Sequence, residues 1–405
     1  MMKRVVFIFI CICIIFFLYG NNAKIPESTI SIKNLEKELQ LKLDEMQQKD
    51  GFPGVTLGIV LPDGNHISLA SGFADIELKK KMNPKDRMLM GSIGKTYVAA
   101  VALQLVKEKK FSLQDKISRF LRDKKWFKRL PNAEDITIKM LMNHSGGLPR
   151  YVFKKELWRQ LKESPDKVWN PEELIAFILD EKPLYPAGEG WAYTDTDYII
   201  LGMIIEKVTG NTYYEELKKR VLLPHKLKDT SPSDKRQLRR LVPGYTGDQT
   251  PPFLLPEKMV KDGVYVINPQ FEWTGGGLIT HSLDLARYIK LLLEGNVVSK
   301  ELLEKMKQPV NEKTGKLDTT GYGLGLEVWK TEQGITYGHR GTMPGYGSMT
   351  EYVPQFGFSI AMQINTDRLS GRVKAPINQH ITALKPIVVK YLKTKLKVPK
   401  VPKVS

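Results

Sequence analysis

Cysteine is almost absent from this chain of 405 residues. The two cysteines, Cys11 and Cys13, both lie within an apolar run near the N-terminus. The rest of the chain therefore contains no disulfide, no thiolate nucleophile and no cysteine-based metal site. The six histidines include no H-E-x-x-H or H-x-H pair, which disfavours a metallohydrolase. Gly-x-Ser-x-Gly does not occur either, which disfavours an α/β-hydrolase.

Acidic residues are also few relative to basic ones. The chain has 62 lysines and arginines against 44 aspartates and glutamates, a formal net charge of +18. The segment Lys385–Ser405 contains seven lysines and no acid. We expect residues 393–405 to form a basic tail that suits an anionic wall polymer or membrane surface, with a solvated tail as the alternative. We find no basic patch interleaved with aromatic residues, so nucleic acid is not expected as a partner.

The N-terminus has the layout of an export signal. Lys3 and Arg4 precede an apolar run, Val5–Leu18, and small or polar residues follow it. The run is short for a full membrane span. We therefore expect residues 1–23 to be a signal peptide or an N-terminal anchor. The protein is then exported to the periplasm, to the medium or to the outer face of the cytoplasmic membrane.

The most informative stretch is Met90–Ala100, which contains Ser92 and Lys95 at the start of a helical pattern. This spacing puts both side chains on one helix face. A serine hydroxyl needs a neighbouring base to act as a nucleophile. Lysine can serve if desolvation or nearby positive charge lowers its pKa from about 10.4. A second Ser-x-x-Lys, Ser164–Lys167, lies between charged, proline-containing segments and is predicted to be a solvated turn or helix start.

Strand patterns occur near both ends of the chain and helical patterns between them. Ser31 is a candidate N-cap of a first helix, and a β-hairpin is predicted from Val55–Val60 and His66–Ala70. We predict an α+β fold in one domain, residues 24–392. An antiparallel sheet of N- and C-terminal strands is flanked by helices, with a mainly helical insertion at about residues 111–290. The region Lys228–Lys261 is predicted to be a long surface loop.

Two further stretches are candidates for chemistry. In the first, Tyr193 and Asp195 lie between a glycine-containing loop and an apolar helical run. A tyrosine in such a place can transfer protons if cations stabilise its phenolate, although packing at a helix start is the simpler interpretation. In the second, His339 precedes Gly341 in a predicted strand. Glycine lets a ligand approach the backbone, so the next N–H can face an oxyanion.

Taken together, these stretches resemble the serine β-lactamase and penicillin-binding protein superfamily. The resemblance is to the branch of class C β-lactamases, D,D-carboxypeptidases of that type and related esterases, whose motifs are Ser-x-x-Lys, Tyr-x-Asn and Lys- or His-x-Gly. Ser92/Lys95, Tyr193/Asp195 and His339/Gly341 match these motifs in order. The segment His144–Pro149 adds to the similarity, which covers roughly residues 35–365.

The resemblance implies a role for each matching residue. Ser92 would be acylated, with Lys95 and Tyr193 transferring its proton and His339 supporting that network from the third side of the pocket. The N–H groups of Ser92 and Thr342 would form the oxyanion hole, and water would release the acyl group without a metal or cofactor. The implied activity is that of an exported serine hydrolase acting on a D-alanyl peptide or a small ester or amide.

The chain departs from the family pattern at two positions. Asp195 replaces asparagine, and its charge would raise the pKa of Lys95 unless it is compensated. His339 stands where β-lactamases of this branch have lysine. Arg340 can supply a guanidinium for a substrate carboxylate or can face solvent, because adjacent strand residues face opposite sides. These departures leave two alternatives open: a β-lactamase, and a non-catalytic wall- or ligand-binding protein.

Overall fold

The computed structural model describes residues 31–247, 251–367 and 373–397. The expected export signal and the last eight residues of the expected basic tail lie outside these ranges. The helices are α1 Ile32–Asp50, α2 Gly94–Lys107, α3 Ser118–Leu121, α4 Ile138–Asn143, α5 Lys155–Glu163, α6 Pro171–Ala176, α7 Asp195–Thr209, α8 Tyr213–Leu217, α9 Trp273–Gly276, α10 Ser282–Leu293, α11 Lys300–Met306 and α12 Ile377–Lys397.

The strands form one large antiparallel sheet and two small sheets. They are β1 Gly54–Val60, β2 His66–Asp75, β3 Lys80–Lys81, β4 Met88–Leu89, β5 Ser231–Pro232, β6 Val260–Lys261, β7 Val264–Tyr265, β8 Leu278–Thr280, β9 Gly321–Tyr322, β10 Glu327–Thr331, β11 Gly334–Met343, β12 Tyr346–Val353 and β13 Phe358–Ile364. The large sheet has the order β3-β2-β1-β13-β12-β11-β10-β9. Since β1 pairs with β13, the two ends of the chain meet in one sheet, which confirms the predicted α+β fold.

Helices α1 and α12 cover one face of this sheet. Ser31 caps α1 by accepting a hydrogen bond from the backbone N–H of Asn34, as predicted, and Gly51 ends it in the left-handed region. The buried stripe of α1 comprises Leu35, Leu39, Leu43 and Met46. It packs with alternate residues of β1 and β13 and with the apolar side of α12. Successive side chains of β1 point to opposite faces of the sheet, so one set joins this core and the other set joins the core on the opposite face.

The other face of the sheet carries α10 and the larger, mainly helical part of the chain. A Cβ on Gly58 of β1 would lie 2.5 Å from the backbone of Ser282, so α10 rests directly on the strand. Thr56 and Ser282 hydrogen-bond through their hydroxyls at 2.6 Å. Helix α2 is buried along almost its whole length within this second core. The cleft discussed below lies where this helical part meets β11.

The prediction of a surface loop at Lys228–Lys261 is wrong for much of that segment. Its described residues include the short strands β5 and β6, and the side chains of Leu238, Val242 and Met259 are buried. Polar residues and prolines misled the prediction, because apolar residues spaced irregularly among them pack into the helical core. Within the described ranges, none of the helices combines the length and hydropathy that a membrane crossing requires.

Candidate active site

Ser92 lies in one turn of 3₁₀ helix, Gly91–Ile93, here called the serine turn, between β4 and α2. Strand β11 runs beside this turn at backbone-contact distance. Gly91 has a φ of +56°, and a Cβ on it would lie 2.6 Å from the carbonyl oxygen of Thr342. A Cβ on Gly341 would lie 1.9 Å from the carbonyl oxygen of Met90. Because neither position has room for a side chain, the two glycines allow Ser92 to sit against the strand.

Lys95 is the second residue of α2 and is fully buried. Its Nζ atom donates hydrogen bonds to Ser92 Oγ at 3.1 Å, to Asp195 Oδ1 at 2.6 Å and to the carbonyl oxygen of Gly275 at 2.5 Å. All three donors of an ammonium group are thus used. The structure therefore brings Ser92, Lys95 and Asp195 together, in contrast to Ser164 of the second Ser-x-x-Lys, which is exposed at the end of α5.

Asp195 is the first residue of α7, directly after the N-cap Thr194. Its Oδ2 atom accepts hydrogen bonds from Nε and Nη2 of Arg150 at 3.1 and 2.6 Å, while Oδ1 binds Lys95. Burial alone would raise the pKa of Asp195, but the charges of Arg150 and Lys95 hold it well below its usual value. The carboxylate is therefore ionised and shared between two cations.

The protonation of Lys95 follows from these neighbours. Burial alone would lower the pKa of Lys95, but the carboxylate of Asp195 outweighs it, and the pKa lies above its usual value. Tyr193, whose ring centroid is 4.9 Å from Lys95 Nζ, has a buried hydroxyl with no hydrogen bond of good geometry among the described residues. Burial raises the pKa of this phenol, and the nearby Lys95 and Ser92 oppose the rise. At neutral pH the site holds a protonated lysine and a neutral tyrosine.

His339 lies on β11 and packs against Tyr322 of β9. Its Nε2 atom is 2.8 Å from the hydroxyl of Tyr322, and its Nδ1 atom is 2.5 Å from the carbonyl oxygen of Arg340. Since a carbonyl only accepts, Nδ1 carries the proton and Nε2 accepts from Tyr322. Burial lowers the pKa of His339 to about 4, so the ring is neutral. Within the described part of the chain no hydrogen bond joins it to Ser92 or Lys95.

Arg340 and Thr342 face outward from β11, on the opposite side from His339. The guanidinium of Arg340 is 51 % exposed and donates to Glu327 at 2.7 Å, and its backbone N–H donates to the same carboxylate at 3.0 Å. Backbone N–H groups two residues apart point to the same edge of a strand. The N–H of Thr342 therefore points to the same edge as the N–H of Arg340. The serine turn lies beside this peptide group, since a Cβ on Gly91 would lie 2.7 Å from the Thr342 nitrogen. The predicted oxyanion hole involves this N–H and that of Ser92.

One cleft of about 530 Å³ contains most of these residues. Ser92, Tyr193, Asp195, Gly341 and Thr342 line it, whereas Lys95 is not part of the lining. Four aromatic side chains, here called the aromatic wall, also line it: Phe153, Trp158, Phe253 and Phe271. In this wall the ring centroids of Trp158 and Phe253 are 4.8 Å apart. The cleft thus offers a nucleophile, a candidate oxyanion site and an apolar surface within one cavity.

Among the charged residues of the cleft that sequence reasoning missed, Arg150 and Glu272 lie nearest to Asp195. Arg150 directly follows the His144–Pro149 segment, and its guanidinium lies over the rings of Phe153 and Tyr193, 4.5 and 5.2 Å from their centroids. Glu272 directly precedes α9 and is 9 % exposed. Neither residue belongs to a motif that the sequence analysis used. The unpaired charge of Asp195 was the only signal that a cation had to be nearby.

A buried pair of polar side chains, His144 and Asp197, packs next to the ring of Tyr193. His144 Nδ1 lies 3.1 Å from Asp197 Oδ2, and both side chains are fully buried. Burial lowers the pKa of His144 well below its usual value and raises that of Asp197 well above its own. Burial therefore favours the neutral form of each group in this pair. The His144 ring packs 4.3 Å from the ring of Tyr193 and 4.6 Å from that of Tyr322, measured between centroids.

Fold and site define a serine hydrolase of the kind shared by β-lactamases and penicillin-binding proteins. The chain belongs to the Beta-lactamase family, whose family model matches residues 39–384. Penicillin-binding protein 4* of Bacillus subtilis (strain 168) is 25 % identical over 327 residues, which cover 78 % of this chain and 69 % of that protein. The superfamily prediction and the prediction of a hydrolase are confirmed.

Solved structures support the same assignment. A D-stereospecific amidohydrolase from Streptomyces sp. superimposes with a TM-score of 0.72 at 27 % identity, covering 86 % of this chain and 98 % of that one. The octameric penicillin-binding protein homologue from Pyrococcus abyssi superimposes with a TM-score of 0.69 at 26 % identity, covering 89 % of this chain and 78 % of that one.

Proposed function

We propose that this protein is an exported serine hydrolase that forms an acyl-enzyme at Ser92 on a D-alanyl peptide or a small ester or amide. The observation that carries the proposal is the connected set of Ser92, Lys95 and Asp195, with the buried hydroxyl of Tyr193 beside it. Lys95 and Ser92 lie close enough to this hydroxyl to oppose the rise of its pKa, which is the position that a proton-transfer group requires.

The resting site contains a protonated Lys95 and a neutral Tyr193, and one of these two groups must lose a proton before it can act as a base. After Lys95 or Tyr193 loses a proton to solvent, the pair can accept the proton of Ser92 Oγ as that oxygen bonds to the substrate carbonyl carbon. The tetrahedral intermediate collapses, the bond to the leaving amine or alkoxide breaks, and Tyr193 returns the proton to that leaving group. Water then attacks the acyl carbonyl carbon and gives one proton to the Lys95 and Tyr193 pair. The second tetrahedral intermediate collapses, the bond between the acyl carbon and Ser92 Oγ breaks, and the pair returns that proton to Oγ as the acid departs.

The oxyanion of each intermediate is assigned to the backbone N–H groups of Ser92 and Thr342. The two peptide groups belong to the serine turn and to β11, which the small size of Gly91 and Gly341 brings together. Such fixed donors cost no reorganisation when charge develops on the carbonyl oxygen. His339, neutral and bonded to Tyr322, orders the wall beside Tyr193 and is assigned a supporting role rather than that of a proton acceptor.

The relatives favour an amide or peptide substrate. The structural neighbour from Streptomyces is named a D-stereospecific amidohydrolase, and the curated relatives include penicillin-binding proteins. An esterase activity remains within the proposal because an acyl-enzyme serine also accepts activated esters. The expected export signal and the expected basic tail favour a substrate at the cell wall or membrane surface, and fractionation of cells that produce the full chain tests this location.

One observation favours a second candidate, a non-catalytic ligand-binding protein. The bond between Lys95 and Asp195 raises the pKa of the lysine, which opposes its use as a base. A panel of p-nitrophenyl acetate, a D-alanyl-D-alanine peptide and a chromogenic cephalosporin separates the candidates. Turnover that disappears in Ser92→Ala supports the hydrolase, and the preferred compound separates esterase, carboxypeptidase and β-lactamase. Absence of turnover, together with absence of a covalent adduct, contradicts the proposal and supports the binding protein.

A further inference from the structure

The described cations at the catalytic end of the cleft are already bonded to acids. Arg150 and Lys95 both bind Asp195, and Arg340 binds Glu327 through its side chain and its backbone N–H. A substrate carboxylate at this position would have to compete with these buried or half-buried carboxylates for the same donors. A substrate carboxylate at Arg340, the binding role that the sequence predicts, would have to share this guanidinium with Glu327.

Glu272 has the opposite character. Its side chain is 91 % buried and lines the same cleft as Ser92, yet within the described ranges its carboxylate makes no hydrogen bond and no ion pair. It lies close to the catalytic residues: the position of a Cβ on Gly275 is 3.1 Å from Glu272 Oε2 and 3.5 Å from Asp195 Cβ. A carboxylate that lines the cleft and binds no cation among the described residues can receive a cationic ligand group, with which it forms a charge-assisted hydrogen bond.

A second acidic residue, Glu312, adds negative charge to the same cleft. Glu312 lines the cleft, is exposed and likewise has no ion pair among the described residues. The aromatic wall lies in the same cavity and matches a large apolar substituent. Ligands that carry both an ammonium group and an apolar side chain combine these two features.

We propose that Glu272 binds the ammonium group of the substrate, so that the substrate class is the amide or peptide of an amino acid with a free amine and a large apolar side chain. The proposal rests on the proposed function, because it assumes that acyl transfer at Ser92 takes place in this cleft. Within the proposed function, it favours substrates anchored by their amine over substrates anchored by a terminal carboxylate. The wall built from Trp158 and Phe253 receives the apolar side chain while Glu272 holds the amine.

Burial and the neighbouring Asp195 raise the pKa of Glu272 to about 7, and the charges of Lys95 and Arg150 oppose the rise. An arriving ammonium group stabilises the ionised form, so binding of the amine and ionisation of Glu272 reinforce each other. Burial raises the pKa values of the phenols of Tyr151, Tyr214 and Tyr265, and this carboxyl adds to the rise. Replacement by glutamine keeps the shape, removes the charge and breaks no existing bond.

The test compares D-phenylalanine p-nitroanilide with its N-acetyl derivative on the full chain. We expect Glu272→Gln to lower kcat/KM for the free amine about tenfold or more, mainly through KM, because a hydrogen bond to a charged group is lost. Hydrolysis of the N-acetyl compound should change less than twofold. Glu301→Gln, at an exposed site on α11, is the matched control and should change neither. Equal losses on both compounds, or no loss on the free amine, overturn the inference.

A binding measurement separates failure of this inference from failure of the proposed function. Calorimetry of D-phenylalanine amide with the Ser92→Ala variant reports on the ammonium site without chemistry. Binding that weakens about tenfold when Glu272→Gln is added supports the site even if the wild-type chain hydrolyses nothing. Binding that is unaffected by Glu272→Gln, or no binding, overturns the inference, while acylation of Ser92 by p-nitrophenyl acetate would leave the proposed function standing.

Discussion

Arg150 donates two hydrogen bonds to one oxygen of Asp195, at 3.1 and 2.6 Å, on the side of the carboxylate opposite Lys95. This contact answers the problem that the sequence posed. An aspartate in place of asparagine puts a negative charge beside the catalytic lysine, and the guanidinium compensates that charge from the other side. Arg150 is thus a positioning residue, since it acts on Lys95 only through Asp195.

We expect Arg150 and Asp195 to be energetically coupled in the reaction. Arg150→Ala in the wild-type background should lower kcat/KM about tenfold or more, because an uncompensated carboxylate then holds the proton of Lys95. In the Asp195→Asn background the same substitution should change kcat/KM less than threefold. Steady-state kinetics with p-nitrophenyl acetate complete the cycle. Arg129→Ala, which breaks an exposed pair with Asp180, is the control. Equal losses in both backgrounds contradict the coupling.

We expect kcat/KM to depend on pH through a limb that rises towards alkaline pH. The resting site holds a protonated Lys95 and a neutral Tyr193, both with pKa values above their usual ranges, so kcat/KM should rise with pH as the pair loses one proton. Because Asp195 raises the pKa of Lys95, Asp195→Asn should move this limb to lower pH. The pH–rate profiles of the two proteins from pH 6 to 10 measure the shift. An unmoved limb, or one moved to higher pH, contradicts the account.

Tyr193 and Tyr198 should respond differently to loss of the hydroxyl. Tyr193→Phe should lower kcat about a hundredfold or more, because a proton-transfer group is lost. The free energy of unfolding should change little, since the hydroxyl makes no hydrogen bond of good geometry among the described residues. Tyr198→Phe breaks a buried hydrogen bond to the carbonyl oxygen of Met142 and should cost about 1 kcal/mol of stability. Urea unfolding and steady-state kinetics on both variants check this. The reverse pattern would assign Tyr193 a structural role.

The packing of α12 depends on a buried ion pair. Lys385 Nζ lies 2.7 Å from Glu351 Oε1 of β12, and the two side chains are 1 and 2 % exposed. Lys385→Met should destabilise the fold by about 3–5 kcal/mol, because it leaves a buried carboxylate unpaired. Adding Glu351→Leu should recover most of that loss. Urea unfolding of the single and double variants measures both effects, and a single variant as stable as the wild type would show that Glu351 finds another partner.

Much of the fold was predictable because its signals are local. The N-cap Ser31, the stripe of α1 and the alternation in β1 each specify an element, and apolar strands at both chain ends predicted the sheet. The segment Lys228–Lys261 failed because its buried residues follow no period. Helix α12 extends to Lys397, so the first part of the expected basic tail is helical.

Only the site residues that belong to sequence motifs were predictable. Ser92 and Lys95 share one helix, so their proximity follows from spacing, and the family resemblance supplied Tyr193. The partners of the charged residues come from distant parts of the chain: Arg150 lies 45 residues before Asp195, and Glu327 lies 13 residues before Arg340. From the sequence alone, the side chain of Arg340 could face either the cleft or solvent. The pairing of β10 with β11 brings Glu327 next to Arg340, and the bond between them fixes the side chain.

The acyl-enzyme at Ser92 is the central claim, and intact-mass spectrometry tests it most directly. The purified full chain, Ser92→Ala and the control Ser164→Ala are each exposed to a β-lactam and, separately, to p-nitrophenyl acetate. The account predicts a covalent adduct or turnover in the wild type and in Ser164→Ala, and neither in Ser92→Ala. An adduct that persists in Ser92→Ala would contradict the assignment of the nucleophile. No adduct and no turnover in the wild type would contradict the hydrolase itself.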